Sequence, residues 1–210
     1  MAPCSRASEQ PAVPSPAAAP ELIRFAPPWT SPYRVDPVYP YHLINGEGER
    51  LFLFCKTAWA FFACRNPSDV LARAGAQGVN VIRVALEGTP YHAALGLDLW
   101  PWGGTRQHPE FTSFNQPYWD EVEARTRLAG EMGIGLDVVL YFSLRPTPAQ
   151  VDEQRPYWEE ALRRLGRYAN VLTWEIQNEY IANEAFQDAA GAFFARHDPF
   201  GRPVCTSDGT

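Results

Sequence analysis

No apolar run in the 210-residue chain approaches the roughly 20 residues that cross a bilayer, so a membrane-spanning helix is excluded. Excess positive charge is missing as well. The 24 acidic and 18 basic side chains leave a formal charge of -6, which gives no electrostatic reason to expect nucleic acid or an anionic membrane as partner. Four cysteines, Cys4, Cys55, Cys64 and Cys205, form no CxxC pair, and four histidines, His42, His92, His108 and His197, form no HxH or HExxH pattern. No metal, cofactor or disulfide framework is therefore expected. The first twenty residues carry Arg6 but no apolar run longer than Ala17-Ala18-Ala19, which is no signal-peptide core and favours reduced thiols in a cytoplasmic protein. What remains is 46% hydrophobic and 13% aromatic, enough for a packed globular core.

Ten of the 20 prolines fall in the first 40 residues, which marks residues 1–40 as an extended or disordered arm and residues 41–210 as the folded part. The turn signal Asn45-Gly46 between two apolar segments predicts a short hairpin, followed by a strand from Leu51 to Cys55. Short β-rich runs then alternate with helical ones. Asn66-Pro67-Ser68-Asp69 reads as a helix start and Gly78 as its end. Val79–Leu86, Ile134–Tyr141, Val171–Gln177 and Pro203–Ser207 read as further strands. Apolar spacings of three, seven and three (Trp119, Val122, Ala129, Met132) and of four, three and four (Trp158, Leu162, Leu165, Ala169) predict helices over 118–132 and 156–168, with another over 185–196.

Five strands alternating with helices describe α/β architecture around a parallel sheet. A doubly wound sheet would carry a glycine-rich phosphate loop after its first strand, and Cys55-Lys56-Thr57-Ala58-Trp59 is not one. The expected fold is a (β/α)8 TIM-barrel type that is incomplete, holding about the first five βα units, since a full barrel takes about 250 residues. Such a sheet would leave strand edges that invite self-association.

One stretch concentrates the chemistry. In Val171-Leu-Thr-Trp-Glu-Ile-Gln-Asn-Glu179 an apolar strand ends in an amide and then a carboxylic acid, and barrel strand ends form active-site rims. There Glu179 can act as a general acid and Asn178 can bond a sugar hydroxyl; the plainer reading is the start of a polar loop. Trp174-Glu-Ile-Gln-Asn-Glu179 resembles the fourth-strand motif of the clan of retaining glycoside hydrolases that includes cellulases and mannanases. Leu51-Phe-Leu-Phe-Cys-Lys-Thr-Ala-Trp59, Gly78-Val-Asn-Val-Ile-Arg-Val84 and Phe114-Asn115 before Tyr118-Trp119 resemble its cellulase-like and apiosidase-like members, over about residues 41 to 208. The resemblance implies Glu179 as general acid/base, Asn178 as the bond to the hydroxyl beside the reacting carbon, and Arg83 as a rim cation near the nucleophile. Two features depart from it. Cys55-Lys56 stands where apiosidase-like members have Gly-Asp, putting a cation in place of a carboxylate, and no strand supplies the nucleophile, which the clan carries on its seventh.

By its strand parity with Val81, Arg83 lines the inner face, where a buried arginine needs a carboxylate; a structural ion pair is the other reading. Aromatic faces for sugar stacking are expected from Trp59, Trp100, Trp102 and Tyr141, with Tyr91, His108 and Phe111 in the same long segment 87–116. Trp100 and Trp102 fit a sugar platform or a local hydrophobic cluster. Glu87 is a further strand-end carboxylate. Glu121, Glu123, Glu159 and Glu160 read as solvated helix faces. The expected partner is a carbohydrate. The functions in view are glycosidase chemistry, with the 210 residues inactive alone for want of the nucleophile strand, or a non-catalytic carbohydrate-binding or degenerate barrel protein.

Overall fold

The computed structural model describes residues 29–88, 100–179 and 183–207. Five strands form one parallel sheet: β4 (Cys55–Thr57), β5 (Val81–Ala85), β8 (Gly135–Tyr141), β9 (Val171–Gln177) and β10 (Val204–Cys205), neighbours in that order. Chain order and spatial order coincide, so the sheet has no reversal point of the kind a doubly wound sheet requires. Helices α1 (Pro67–Ala76), α2 (Gln116–Glu131), α3 (Val151–Leu165) and α4 (Glu184–His197) connect the strands. Among the described residues no helix is long and apolar enough to cross a membrane.

Side-chain parity separates the two faces. Ile82, Val84, Leu136, Val138, Trp174 and Ile176 join Leu71, Trp119, Val122, Tyr157, Trp158, Phe186 and Phe194 of the helices in one buried cluster. The opposite parity puts Thr57, Arg83, Asp137 and Thr173 in register across four strands. Alternation of this kind gives the sheet an apolar face for helices and a polar face free for chemistry.

Three short strands, β1 (Arg34–Val35), β2 (Leu43–Ile44) and β3 (Arg50–Leu51), make a small antiparallel sheet whose β2–β3 hairpin turns at the Asn45-Gly46 signal. Tyr33, Leu51, Val81 and Leu172 form a second buried cluster at the amino ends of the parallel strands, with Trp29 and Leu43 against it. A Cβ on Gly135 would lie 2.4 Å from the Trp29 ring, so only glycine admits this approach. Residues 29–40, placed by composition in the arm, thus include a strand and a buried tyrosine. Residues 1–28 lie outside the described residues.

The expected single strand Leu51–Cys55 is two elements. Asn80 is the reason: its amide accepts from the Phe54 backbone N–H at 2.9 Å and donates to the Phe52 carbonyl, taking backbone groups that a ladder would otherwise use. The helix expected from Pro156 begins at Val151 instead, because the capping box of Thr147 and Gln150 starts the turn Pro148–Gln150 that leads into it, leaving Pro156 inside. The segment 87–116 is no plain loop: β6 (Trp102–Gly104) pairs with β7 (Pro109–Phe114). Tyr91 lies outside the described residues.

A buried ion pair fastens the last units. Arg202 and Asp198 are both fully buried; Asp198 also accepts from the Trp174 indole at 3.0 Å, and Arg202 donates to the Gly166 and Tyr168 carbonyls at 2.9 and 2.6 Å. Asp198→Ala would strand the guanidinium without its counter-charge, at an expected cost of about 3–5 kcal/mol. Urea unfolding measures it, and a loss below about 1 kcal/mol would contradict the structural role given to this pair.

Candidate active site

The site is built on inner-facing residues within β5 and β9 and on the segments that follow β9 and β10. Strand β9 alternates Thr173 and Glu175 on the polar face with Trp174 and Ile176 on the helical one, and runs on through Gln177 into Asn178, whose N–H donates to the Tyr141 carbonyl at 2.9 Å. Asn178 is buried; Glu179 is exposed and adopts a left-handed backbone, φ 51°. Its N–H donates to the Ser207 hydroxyl at 3.0 Å, which fixes the main chain in a region that non-glycine residues seldom occupy.

Arg83 is the hub. Its Nε donates to Glu175 Oε2 at 2.6 Å and its Nη2 to Glu175 Oε1, giving a fork-to-fork pair. The same Nη2 donates to Asn178 Oδ1 at 3.2 Å and to Ser207 Oγ at 2.9 Å. Trp59, half-buried, lies over the guanidinium with 4.4 Å from Cζ to ring centroid. Burial opposes the positive charge, but the hydrogen bonds and field of Glu175 more than offset it and the pKa is raised. With Asn178 Oδ1 turned to Arg83, the amide nitrogen is left as the group able to meet a ligand.

Beside this pair sits Asp137, 3.9 Å from Arg83 and hydrogen-bonded by the Thr173 hydroxyl. Burial pushes its carboxyl up to about 6, the Thr173 bond lowers it, Glu175 raises it further and Arg83 lowers it. Burial and the neighbouring Asp137 likewise push the Cys55 thiol up to about 11 and Cys205 up to about 12, so neither is a thiolate nucleophile at neutral pH. Donor atoms of Asp137, Glu175 and Cys205 lie within 4.8 Å of one another. The two oxygens of Glu175 are already taken by the guanidinium, which supplies the positive charge there.

Of the residues read from the sequence, Glu179, Asn178, Arg83 and Trp59 are linked at this rim. Trp100, Trp102 and Tyr141 are not. Trp102 packs on Trp100, Phe111 and Tyr157 inside the helix-side core, and Trp100 is buried beneath Arg106, so the hydrophobic-cluster reading replaces the sugar platform. Tyr141 is fully buried on the helix side, its hydroxyl donating to Gln154 and accepting from the Trp158 indole. Lys56 also departs from expectation: its ammonium bonds Gln77 beyond α1, while its neighbours Cys55 and Thr57 take the inner-face parity. Glu87 is buried and accepts the N–H groups of Phe142, Ser143 and Leu144. Burial raises its pKa against those bonds. Glu175, Ser207 and Asp137 were missed, although the polar–apolar alternation of Thr173 to Gln177 was the signal for Glu175.

No protein-family model and no curated protein matches the chain. Solved structures do. A glycoside hydrolase family 5 member from Bacteroides vulgatus superposes with TM-score 0.66 at 19% identity over 87% of this chain and 41% of its own. Endo-glycoceramidase II from Rhodococcus gives TM-score 0.55 at 14% identity, covering 78% of this chain and 50% of that one. The endo-1,4-β-D-mannanase from Thermotoga petrophila, whose structure holds maltose and glycerol, gives 0.50 at 17% over 74% and 55%. These neighbours are TIM-barrel glycoside hydrolases. At such identities the likeness is one of fold, and the chain spans about half or less of the length of each of the first two.

Asp137 generates a pH prediction. Its carboxyl keeps its proton up to about 6 when folded, against a usual value of 3.8, so its contribution to stability is full below about pH 4, falls as pH rises towards 6 and is level above. Asp137→Asn removes this titration. Between pH 4 and 6 the wild type should lose about 2 kcal/mol more than the variant. Urea midpoints at several pH values measure the difference, and parallel profiles would refute the assignment.

Proposed function

We propose that the chain carries the acid/base half of a retaining glycoside hydrolase acting on O-glycosidic bonds, within a (β/α)8 barrel of which it holds the first five units. The observation that supports this most is the joint placement of Asn178 and Glu179 at the end of β9, with the Asn178 oxygen held by Arg83 and the Glu179 side chain exposed beyond it. In this reading Glu179 protonates the departing glycosidic oxygen and later deprotonates the attacking water, while the Asn178 amide nitrogen donates to the hydroxyl next to the reacting carbon.

Retention needs a second carboxylate roughly 5–5.5 Å from the first to form the glycosyl-enzyme intermediate. Neither Glu175 nor Asp137 suits that role, because one is paired to Arg83 and the other is pushed towards its neutral form. The nucleophile is therefore assigned to a strand beyond the fifth, near Arg83, and three further βα units would also cover the outer edges of β4 and β10. The chain alone should bind carbohydrate but give only background turnover. The same engagement of both inner carboxylates favours a second reading, a non-catalytic carbohydrate-binding protein.

Leaving-group dependence separates the two. In a version extended through three more βα units, Glu179→Gln keeps the shape and removes the proton. Loss of about 10²–10⁴-fold is expected on substrates with poor leaving groups, and far less on activated aryl glycosides that leave without protonation. An equal loss on both classes, or robust hydrolysis by the 210 residues alone, would overturn the assignment of the acid.

A further inference from the structure

The residue after Tyr141 has no role in the reading above, yet the structure builds a support around it. Phe142 opens the turn that follows β8, and the Glu87 carboxylate, itself buried, accepts the N–H groups of Phe142, Ser143 and Leu144 at 2.8, 3.0 and 3.0 Å. From the carbonyl side, Arg145 donates to Phe142 O at 2.8 Å and to Leu144 O at 3.1 Å, and Gln177 donates to Leu144 O at 2.9 Å. Donors and acceptors of one short turn are thus held at both poles. Burying a carboxylate is costly, and Glu87 offsets that cost by accepting from three successive backbone amides of the turn. Such a turn keeps its geometry when a ligand arrives.

The pinned turn presents the Phe142 ring against Trp59, with centroids 4.8 Å apart and planes at 64°. Both rings are half-buried, in contrast to the sealed Trp100, Trp102 and Tyr141. They form an aromatic corner whose Trp59 side lies over Arg83, and Arg83 in turn holds Asn178. An apolar corner beside a few oriented polar groups is the usual make-up of a small-ligand seat, and a sugar ring offers the matching pair of an apolar C–H face and a hydroxyl-bearing edge.

Charge narrows the ligand. Among the described residues the cations next to this corner are already engaged, Arg83 by Glu175 and Arg145 by the carbonyls of its own turn, within the field of Glu87. Asp137 lies on the same inner face, 3.9 Å from Arg83. A sugar carboxylate would find the adjacent cations already engaged and Asp137 close by, and would be disfavoured by charge more than by shape.

We propose that the Trp59–Phe142 corner seats the C–H face of a neutral sugar ring, with Phe142 as the residue that sets this specificity. The proposal rests on the carbohydrate reading above and names its substrate class. Calorimetric titration of the whole chain tests it with cellotetraose and mannotetraose as neutral probes and tetragalacturonate as the acidic one. A neutral probe should bind, and the acidic one at least about tenfold more weakly. Phe142→Leu keeps an apolar side chain of similar bulk but loses the π face, and should weaken the neutral probe about tenfold; Phe142→Tyr should restore it. Unchanged affinity in Phe142→Leu would overturn the corner and leave the carbohydrate reading standing, and tetragalacturonate bound as tightly as the neutral probes would overturn the charge argument. Absence of any binding by the wild type would overturn the proposed seat, while the leaving-group comparison on the extended protein would still decide the acid/base assignment.

Discussion

One ion pair, Arg83 with Glu175, organises the polar face of the sheet. A guanidinium among strand interiors cannot shed its proton, so it must be matched where it lies, and Glu175 matches it through both oxygens from two strands away. The remaining donor capacity is what reaches Asn178 and Ser207. The interiors of β5 and β9 and the segments after β9 and β10 are thereby fastened to one planar group, and the Glu179 main chain is fastened to them through Ser207.

The helix-facing side follows from different physics. It is aromatic, with Trp102, Trp119, Trp158, Trp174, Tyr141 and Tyr157 all buried; the Trp158 indole donates to the Tyr141 hydroxyl and the Tyr157 hydroxyl to the Leu140 carbonyl, which fixes the orientation of those rings. Its packing holds the strands at the spacing that lets Arg83 span to Glu175. Both sheet margins stay open among the described residues. Beside β4 a cavity of about 520 Å³ is lined largely by Ala58, Phe61, Val70, Ala74 and Ile82, and Phe52, Leu53 and Phe54 are about half exposed. A strand or chain packed on either margin would gain buried apolar area.

Particular residues show where sequence reading succeeded and where it failed. The strand Val171–Gln177 was legible to the residue, because its apolar run is bounded by a polar end and its period is two. The helix after Asn66 was legible through its proline placement, and most of the one after Asn115 through apolar spacings of three and seven. Trp100 and Trp102 were assigned to the rim because aromatic residues among glycines and prolines look the same whether they face a cleft or a core. The fold turns them inward through a hairpin that the composition of the segment did not reveal. Glu175 was passed over for the opposite reason: flanked by Trp174 and Ile176 it reads as one polar break in an apolar strand, and its partner lies 92 residues earlier.

By itself the sequence determined the alternation of strands and helices, the polar end of β9 at Asn178 and Glu179, and the inward parity of Arg83, since each depends on residues within one turn or one pleat of each other. Tertiary structure alone decided which carboxylate holds Arg83, that Ser207 carries the Glu179 amide, that Glu87 braces the Phe142 turn, and which aromatic rings are sealed. Those outcomes depend on the register between strands and on burial, which sum contacts from the whole chain and leave no local pattern to read.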